Sequence, residues 1–407
     1  MERQVLAAIT FNDNNVVLMI GEFFNARLNI LRCEKQNIKP LSNGVLADTD
    51  EIVRVLRQML NNVYNDLGMK VKNVLLNIPS YGVEKRVVTK SKLVNGIISK
   101  NDIFDLYDNS VVYEIDDLAL VNAVCNSYEV NGLVTKKAPI NEKTSILKME
   151  MELFYAHKDM VYSYMYLMEN LGLNIIDVSL DNYSFCKEAS LFEKSFDKLA
   201  ILINLGYNDT NLVLLNKGKI ESVEKIDKGF RDFESQLKKE YDIPEYMYEQ
   251  VVSYSLDLLN EQDKDVIIYV DNTKEAIKEI TIKDIDNALK GVIDQWISEI
   301  SNCCGEIIQQ YDVNFYLGGY AVNINNLDRY ISIKLQAPCN NYISETFGGR
   351  SQDLVSSLGV FYAYHDNMNL VGSKDSVDIS EYSENLKDSR ANKTEFINRF
   401  KAIVGIK

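Results

Sequence analysis

The chain has 407 residues, 46% of them hydrophobic, and a formal net charge of −15. This length supports a core in more than one lobe, and the acidic balance without a basic stripe excludes a nucleic-acid-binding surface. Only two histidines are present, His157 and His365, and the six cysteines lack metal-ligand spacing, so neither histidine-based catalysis nor a metal site is expected.

The first eighty residues predict one half of an α/β fold. An apolar strand, a polar turn and two further strands precede an amphipathic helix and a buried-looking strand that ends at Pro79. The six elements are expected at residues 5–10, 11–15, 16–22, 26–33, 50–67 and 71–78.

The same outline returns after Lys198. Strands are predicted at residues 199–205, 210–216 and 219–226, with turns between them. A later strand at residues 314–317 runs into Gly318 and Gly319, a turn that could bring backbone amides against a phosphate or ribose. Two copies of one outline imply two lobes with a cleft between them.

The amino terminus lacks a signal sequence, and no apolar run is long enough to span a bilayer. We therefore expect a cytoplasmic body whose membrane contact, if any, is peripheral.

The last fifteen residues, 393–407, predict a basic amphipathic helix in an otherwise acidic chain. Residues 372–391 are polar and predict a flexible tether. Such a helix either binds anionic lipid headgroups or packs onto its own domain, and the tether favours the membrane. The residues expected to bind the membrane are Phe396, Ile397, Arg399, Phe400, Lys401, Ile403 and Val404.

Taken in order, the two strand–turn–strand segments and the strand with its glycines match the three nucleotide-cleft segments of the actin fold. Within that superfamily the chain resembles the bacterial cell-division protein FtsA over essentially its whole length. The resemblance rests on residues 201–212, on the inserted region with its residues 92–103, and on the amphipathic end. It implies an α/β, actin-like two-lobed fold of duplicated ribonuclease-H-like domains, with an FtsA-type inserted subdomain and a C-terminal amphipathic helix.

The resemblance also implies a domain plan. Lobe 1 is interrupted by the insert, and a helix returns to it after lobe 2. The expected order is 1–82 (lobe 1), 83–160 (insert), 161–197 (lobe 1 continued), 198–350 (lobe 2), 351–371 (returning helix), 372–391 (linker) and 392–407 (membrane-targeting helix).

By the same resemblance the protein is an adaptor in cell division. The insert would contact neighbouring subunits in a filament, and lobe 2 would bind the carboxy-terminal peptide of the tubulin-like protein FtsZ. The tail would hold the assembly on anionic lipids at the cytoplasmic side of the cell membrane, at the division site, where other divisome proteins could join it. A weak anchor combined with self-assembly would supply the avidity for stable attachment.

The nucleotide loops depart from the family pattern. Thr10, Asn12 and Asp13 stand where actin-fold ATPases carry the Asp, Gly and Ser/Thr of Asp-x-Gly-Ser/Thr, and Asn204 replaces a second metal-orienting carboxylate. We expect no efficient ATP hydrolysis, while binding of ATP or ADP with Mg²⁺ stays open. The residues expected at a nucleotide are Asn12, Asp13, Asn204, Gly206, Tyr207, Asn208, Thr210, Gly318, Gly319 and Tyr320.

Two alternatives accompany these residues. The cleft could instead be structural, with Phe11 and Tyr320 filling the space of a nucleotide. Asp181 could orient a water, although a role at the end of its helix is the simpler interpretation.

The only tryptophan, Trp296, lies in a predicted helix at residues 285–308. It stands where the FtsA family typically has an arginine, so it could be an aromatic anchor for the partner peptide. Its spacing from Leu289, Ile293 and Ile300 equally predicts a core residue.

Two other functions remain as alternatives. One is a scaffold like PilM, also of actin fold, recruited to a membrane by the tail of an integral-membrane partner. The other is a phosphotransferase of the sugar-kinase branch, which would need an intact first phosphate loop.

Overall fold

A computed structural model describes residues 3–25, 27–42, 44–241, 243–259, 265–271, 278–371 and 374–377. The chain divides into two compact units: unit 1 comprises Met1–Leu180 with Ala363–Lys407, and unit 2 comprises Asp181–Tyr362. These unit boundaries, after Leu180 and Tyr362, differ from the predicted lobe boundaries after residues 197 and 350. The helix that begins at Asp181 belongs to unit 2, where the ring of Phe185 packs against Gly318.

Unit 1 contains twelve strands and three helices among its described residues before Leu180. The strands are β1 (Arg3–Asn12), β2 (Asn15–Phe24), β3 (Arg27–Gln36), β4 (Leu41–Ser42), β5 (Val45–Leu46), β6 (Asn73–Ile78), β7 (Glu84–Ile97), β8 (Glu114–Ile115), β9 (Leu118–Val130), β10 (Leu133–Thr135), β11 (Lys143–His157) and β12 (Asn174–Leu180). The helices are α1 (Thr49–Leu67), α2 (Lys100–Asp108) and α3 (Lys158–Leu171).

The described part of unit 2 contains seven strands, six α-helices and three short 3-10 helices, and a last α-helix continues from unit 2 into unit 1. The strands are β13 (Leu199–Leu205), β14 (Thr210–Asn216), β15 (Lys219–Ile226), β16 (Ile267–Asp271), β17 (Lys278–Thr281), β18 (Val313–Gly319) and β19 (Cys339–Asn341). The helices are α4 (Asp181–Glu188), α5 (Leu191–Lys194), α6 (Phe230–Glu240), α7 (Tyr248–Ser255), α8 (Ile282–Gln310), α9 (Leu327–Leu335) and the departing α10 (Val355–Val371).

The two central sheets have the same topology, which confirms the predicted duplication. Unit 1 has the strand order β3-β2-β1-β6-β12, and unit 2 has β15-β14-β13-β18-β19. In each, a three-stranded antiparallel meander is followed by a strand that pairs in parallel with its first strand, and a last strand pairs in parallel with that one. The turns after β1 and β13 are therefore equivalent positions in the two halves.

Helix packing follows from apolar spacing and capping. Helix α1 begins after Asp48, whose carboxylate accepts a hydrogen bond from Glu51 N at 3.0 Å, and ends at Gly68 in the left-handed conformation. Helix α8 is three residues longer at its start than predicted, because Thr281 and Asp284 form a capping box there. Its buried stripe is Ile285, Leu289, Ile293, Trp296 and Ile300.

The region predicted as an insert forms a sheet of its own, in the order β10-β9-β11-β7, with β8 beside β9. Helix α2 covers one face of this sheet, and its Ile103 and Leu106 pack with Met149 and Met151 of β11. The insert thus has a separate hydrophobic core.

The predicted linker at residues 372–391 is wrong at its beginning. Ser376 is fully buried, and its backbone joins two strands: Ser376 N donates to Val5 O at 3.0 Å, and Lys72 N donates to Ser376 O at 2.9 Å. Its hydroxyl also accepts from Ala7 N at 2.7 Å. Because the parallel pairing of β1 and β6 begins only at Ala8, this segment completes the hydrogen bonding at the start of both strands.

Among the described helices, none is long and apolar enough to cross a bilayer. The predicted membrane-targeting helix, residues 392–407, lies outside the described residues, as does the linker from residue 378 onward.

Candidate functional site

Two of the predicted nucleotide segments meet at one edge of the unit 2 sheet. Strands β13 and β18 pair in parallel, and their register places Asn204 opposite Gly318 and Leu205 opposite Gly319. The carboxyl ends of neighbouring parallel strands form the usual ligand edge of α/β sheets. The third segment, with Asn12 and Asp13, lies in unit 1.

The turn after β13 is closed onto the start of α6. Gly206 N donates to Asp209 O at 2.8 Å, and the first amides of α6, Phe230 N and Arg231 N, donate to Gly206 O and Tyr207 O at 3.0 and 2.9 Å. A Cβ on Gly229 would lie 2.3 Å from Tyr207 O, so only glycine allows this approach. Backbone N–H groups at the start of a helix can bind an anion. Here they donate instead to carbonyl oxygens of the protein's own loop.

Side chains of the same turn are also engaged within unit 2. The Tyr207 hydroxyl donates to Glu234 at 2.9 Å, and Asn208 Oδ1 accepts from Arg231 at 2.9 Å. Asp209, the carboxylate of this turn, pairs with Lys225 at 3.2 Å. A carboxylate held by a lysine is poorly placed to orient hydrated magnesium, and no metal-binding cluster occurs among the described residues.

Thr210 and Trp296 form a buried pair. Both side chains are fully buried, and Trp296 Nε1 donates to Thr210 Oγ1 at 2.9 Å while Thr210 donates to Lys228 O at 2.7 Å. The Thr210 hydroxyl, predicted to face a nucleotide, is thereby occupied. The prediction that Trp296 anchors a partner is wrong, because its ring packs edge-on against Phe233 in the core of unit 2.

The glycine pair after β18 has a structural reason for each member. Gly319 has a positive φ of 64°, and a Cβ there would lie 2.2 Å from Leu205 O. A Cβ on Gly318 would lie 2.7 Å from the ring of Phe185. Tyr320, at the family's usual third glycine, stacks on Phe230 with ring centroids 4.5 Å apart. Its ring therefore covers the start of α6.

The first loop is a tight hairpin turn in unit 1. Asn12 lies opposite Asn15, and Asn12 Nδ2 donates to Asn15 Oδ1 at 2.8 Å, with Asp13 at the tip. Phe11, near the end of β1, is buried, and its ring centroid lies 5.2 Å from that of Tyr164 in α3.

A row of buried polar residues escaped the sequence analysis. Thr10, Asn77 and Ser179 lie side by side on β1, β6 and β12 and are at most 2% exposed. In the sequence each of these residues is only a polar residue near the end of an apolar stretch. The parallel register of β1, β6 and β12 brings the three side by side. Asp181 is the first residue of α4 and accepts a hydrogen bond from Asn182 N at 2.6 Å, and a carboxylate at this position suits the helix dipole.

A second group that sequence reasoning missed surrounds Glu188, at the end of α4. Its carboxylate is buried and accepts hydrogen bonds from the hydroxyls of Ser344 and, at 3.2 Å, Thr346, while Tyr342 donates to its backbone oxygen at 2.9 Å. Burial raises the pKa of Glu188 to about 7, although these hydroxyls favour the charged form. These residues lie far apart in sequence, so no local pattern could reveal them.

No known family model and no curated protein matches the chain. Solved structures do match. The match to the PilM–PilN type IV pilus biogenesis complex covers 87% of this chain and 97% of the matched chain, at 11% identity and a TM-score of 0.59. MreB5 of Spiroplasma citri bound to ADP covers 91% and 99% at 13% identity and a TM-score of 0.53. The ethanolamine utilization protein EutJ from Carboxydothermus hydrogenoformans covers 91% and 90% at 12% identity and a TM-score of 0.51.

The chain has an actin-like fold. The predicted actin-like, two-lobed α/β fold class is thereby confirmed. At identities this low, a structural match establishes the fold alone, so the FtsA branch, its partners and its nucleotide belong to the proposal that follows.

Proposed function

We propose that this protein is a non-enzymatic scaffold of the FtsA type. It would assemble on the cytoplasmic face of the cell membrane at the division site and tether FtsZ filaments to it. The observation that carries the non-enzymatic part is the second loop. Contacts within unit 2 engage three of its groups: the Asp209 carboxylate, the Thr210 hydroxyl and the first backbone amides of α6.

The membrane part of the proposal rests on charge and pattern in the sequence. The chain is acidic overall, with a net charge of −15, yet residues 393–407 are basic and amphipathic. One short amphipathic helix binds a bilayer weakly, so many copies in a filament would be needed for stable attachment. Self-assembly and membrane binding therefore support each other in this proposal.

A PilM-like scaffold is the second candidate, favoured by the PilM–PilN complex among the structural matches. Such a scaffold would be recruited by a membrane protein and would not need the amphipathic tail. The phosphotransferase is the weakest candidate, because Asn12 pairs with Asn15 and Asp13 stands at the tip of the first loop, where a phosphate would meet negative charge.

Co-sedimentation with anionic liposomes tests the proposal. The full chain is compared with a chain ending at Ala391, which keeps the buried segment around Ser376. Phe400→Asp places a charge on the apolar face of the tail, and Asn398→Asp adds the same charge to the polar face. We expect the full chain and Asn398→Asp to sediment and to carry FtsZ from the same source with them, and the truncated chain and Phe400→Asp to stay in solution.

Two other outcomes separate the candidates. If the full chain binds liposomes but leaves FtsZ in solution, FtsZ tethering is wrong and a scaffold for another membrane assembly remains. If the full chain does not sediment, the tail is not a membrane anchor, and recruitment by an integral-membrane partner becomes the better explanation.

A further inference from the structure

Strand β7 is a long free edge of the insert sheet. It has 14 residues, pairs with β11 on one side, and pairs with no other strand in the described part of the chain. Most of its side chains are exposed, including Leu93 at 80% and Val87 at 56%. An edge of this length presents a row of unpaired backbone N–H and C=O groups, which is the template for adding another strand.

One side of this edge carries two exposed apolar side chains, Val87 and Leu93, with Thr89 and Ser91 between them. Val87 lies opposite Glu152 and Leu93 opposite Ile146, so Val87, Leu93 and Ile146 share the face of the sheet that α2 leaves uncovered. Ile146 is itself 45% exposed. A strand added beside β7 would place every second side chain on this face, where apolar residues would cover Val87 and Leu93.

The other side of the edge is basic. Arg86, Lys90 and Lys92 point to the face that α2 covers, as their pairing with Leu153, Met149 and Leu147 requires. The Lys92 ammonium already binds Asp102 and Asp105 of α2 at 2.9 and 2.6 Å, which shows that carboxylates fit this side. Arg86 and Lys90 are exposed. An added strand would therefore match them with acidic residues.

Charge also decides against a second copy of β7 as the occupant. The strand carries four basic residues and one acidic residue, in a chain with a net charge of −15. Antiparallel pairing of two such strands would bring like charges together, which destabilises a sheet. A partner strand with acidic residues has no such penalty.

We propose that β7 binds an extended segment of a partner protein in which apolar and acidic residues alternate, and that this segment adds to the insert sheet as a fifth strand next to β7. The backbone of the edge supplies the hydrogen bonds, Val87 and Leu93 select hydrophobic residues opposite them, and Arg86 and Lys90 select carboxylates. This site is independent of the membrane tail and of the loops around Gly206 and Gly319.

A pair of synthetic peptides tests the charge pattern with the full chain. One fluorescein-labelled undecapeptide alternates valine with glutamate, and the other alternates valine with lysine. Fluorescence anisotropy should show that the glutamate peptide binds about tenfold more tightly, the combined effect of a few cross-strand charge pairs. The double variant Arg86→Glu/Lys90→Glu should reverse this preference.

The control variant is Lys136→Glu/Lys137→Glu, which makes the same charge change at exposed positions that follow β10, the strand at the other edge of the insert sheet. It should keep the preference for the glutamate peptide. Hydrogen exchange supplies a readout that needs no variant: with the glutamate peptide bound, amides of Glu84–Ile97 should exchange more slowly.

Several results would overturn the proposal. If both peptides bind equally, Arg86 and Lys90 do not select carboxylates. The same conclusion follows if the edge variant has a native circular dichroism spectrum and keeps the preference for the glutamate peptide. Protection outside β7 would place the peptide elsewhere. Concentration-dependent dimers that Leu93→Lys abolishes, seen by light scattering, would make a second copy the occupant.

Discussion

At the scale of single residues, Trp296 illustrates how a buried polar atom finds its partner. Spacing along α8 predicted either a core residue or an exposed anchor. The structure decides for the core, because Thr210, 86 positions away, supplies the acceptor that a buried indole N–H requires.

Replacement of either member should therefore destabilise unit 2. Thr210→Val leaves the indole N–H buried without an acceptor, and we expect a loss of about 1–3 kcal/mol. Trp296→Phe should cost a similar amount through the lost bond and a cavity. Because the two changes remove one shared interaction, the double variant should lose less than the sum.

Urea unfolding followed by circular dichroism measures these effects, since Trp296→Phe removes the only tryptophan fluorophore. Additive losses would show that the two side chains do not interact. A Trp296→Phe protein of unchanged stability but weakened partner binding would instead restore Trp296 as an anchor.

Glu188 makes stability depend on pH. Its pKa is raised from 4.5 to about 7 by burial, so the folded protein holds this proton more tightly than the unfolded chain does. The resulting stabilisation is complete below pH 4.5 and is lost as pH rises towards 7. Glu188→Gln mimics the protonated form and should remove this decline.

Thermal unfolding between pH 5 and pH 8 tests this expectation. The wild-type melting temperature should fall more steeply than that of Glu188→Gln, and the two should be closest at pH 5. Glu193→Gln, an exposed acid on α5, is the matched control and should follow the wild type. Parallel curves for wild type and Glu188→Gln would contradict a raised pKa.

At the scale of elements, apolar patterns placed eight of the ten central strands to within three residues at each end, because period-2 alternation and continuous apolar runs are local signals. Strands β12 and β19 were not predicted. Local signals could not predict strand pairing within the insert, because β7 and β11 pair although residues 98–142 lie between them in the chain. The segment at Ser376 was predicted to be a linker because polar residues indicate a tether. Its hydrogen bonds go to backbone groups far away in the chain, which a local pattern does not show.

The Ser376 segment should contribute to the stability of unit 1. Ser376→Pro removes the N–H that donates to Val5 O and the hydroxyl that accepts from Ala7 N. We expect a loss of at least 2 kcal/mol, about the cost of two buried backbone groups left unsatisfied.

Chemical denaturation of the full chain measures this loss. Asp375→Asn keeps an acceptor oxygen for Val5 N and should change little. A chain ending at Val377 should match the full chain in stability, whereas one ending at Val371 should be weaker. Equal stability of the two truncations would show that the segment does not hold the strands.

At the scale of the whole molecule, the fold is that of proteins that bind nucleotide, as the ADP complex of MreB5 illustrates, yet the loops differ. With Asn204 in place of a carboxylate and Asp209 paired with Lys225, we expect no ATP turnover above background. Phosphate release with magnesium and ATP is the measurement. Turnover that Asn204→Ala abolishes would show a working ATPase, since a contaminant would not respond to that change.

The sequence by itself determined the duplicated α/β architecture, because strand and helix periodicities are local and occur twice in the same order. It also determined the acidic charge and the basic amphipathic end. The tertiary structure alone decided which polar groups are engaged: Thr210 with Trp296, Glu188 with three hydroxyls, and Ser376 between β1 and β6. These contacts join residues far apart in the chain, and a buried polar group accepts whichever partner the fold brings within hydrogen-bonding distance.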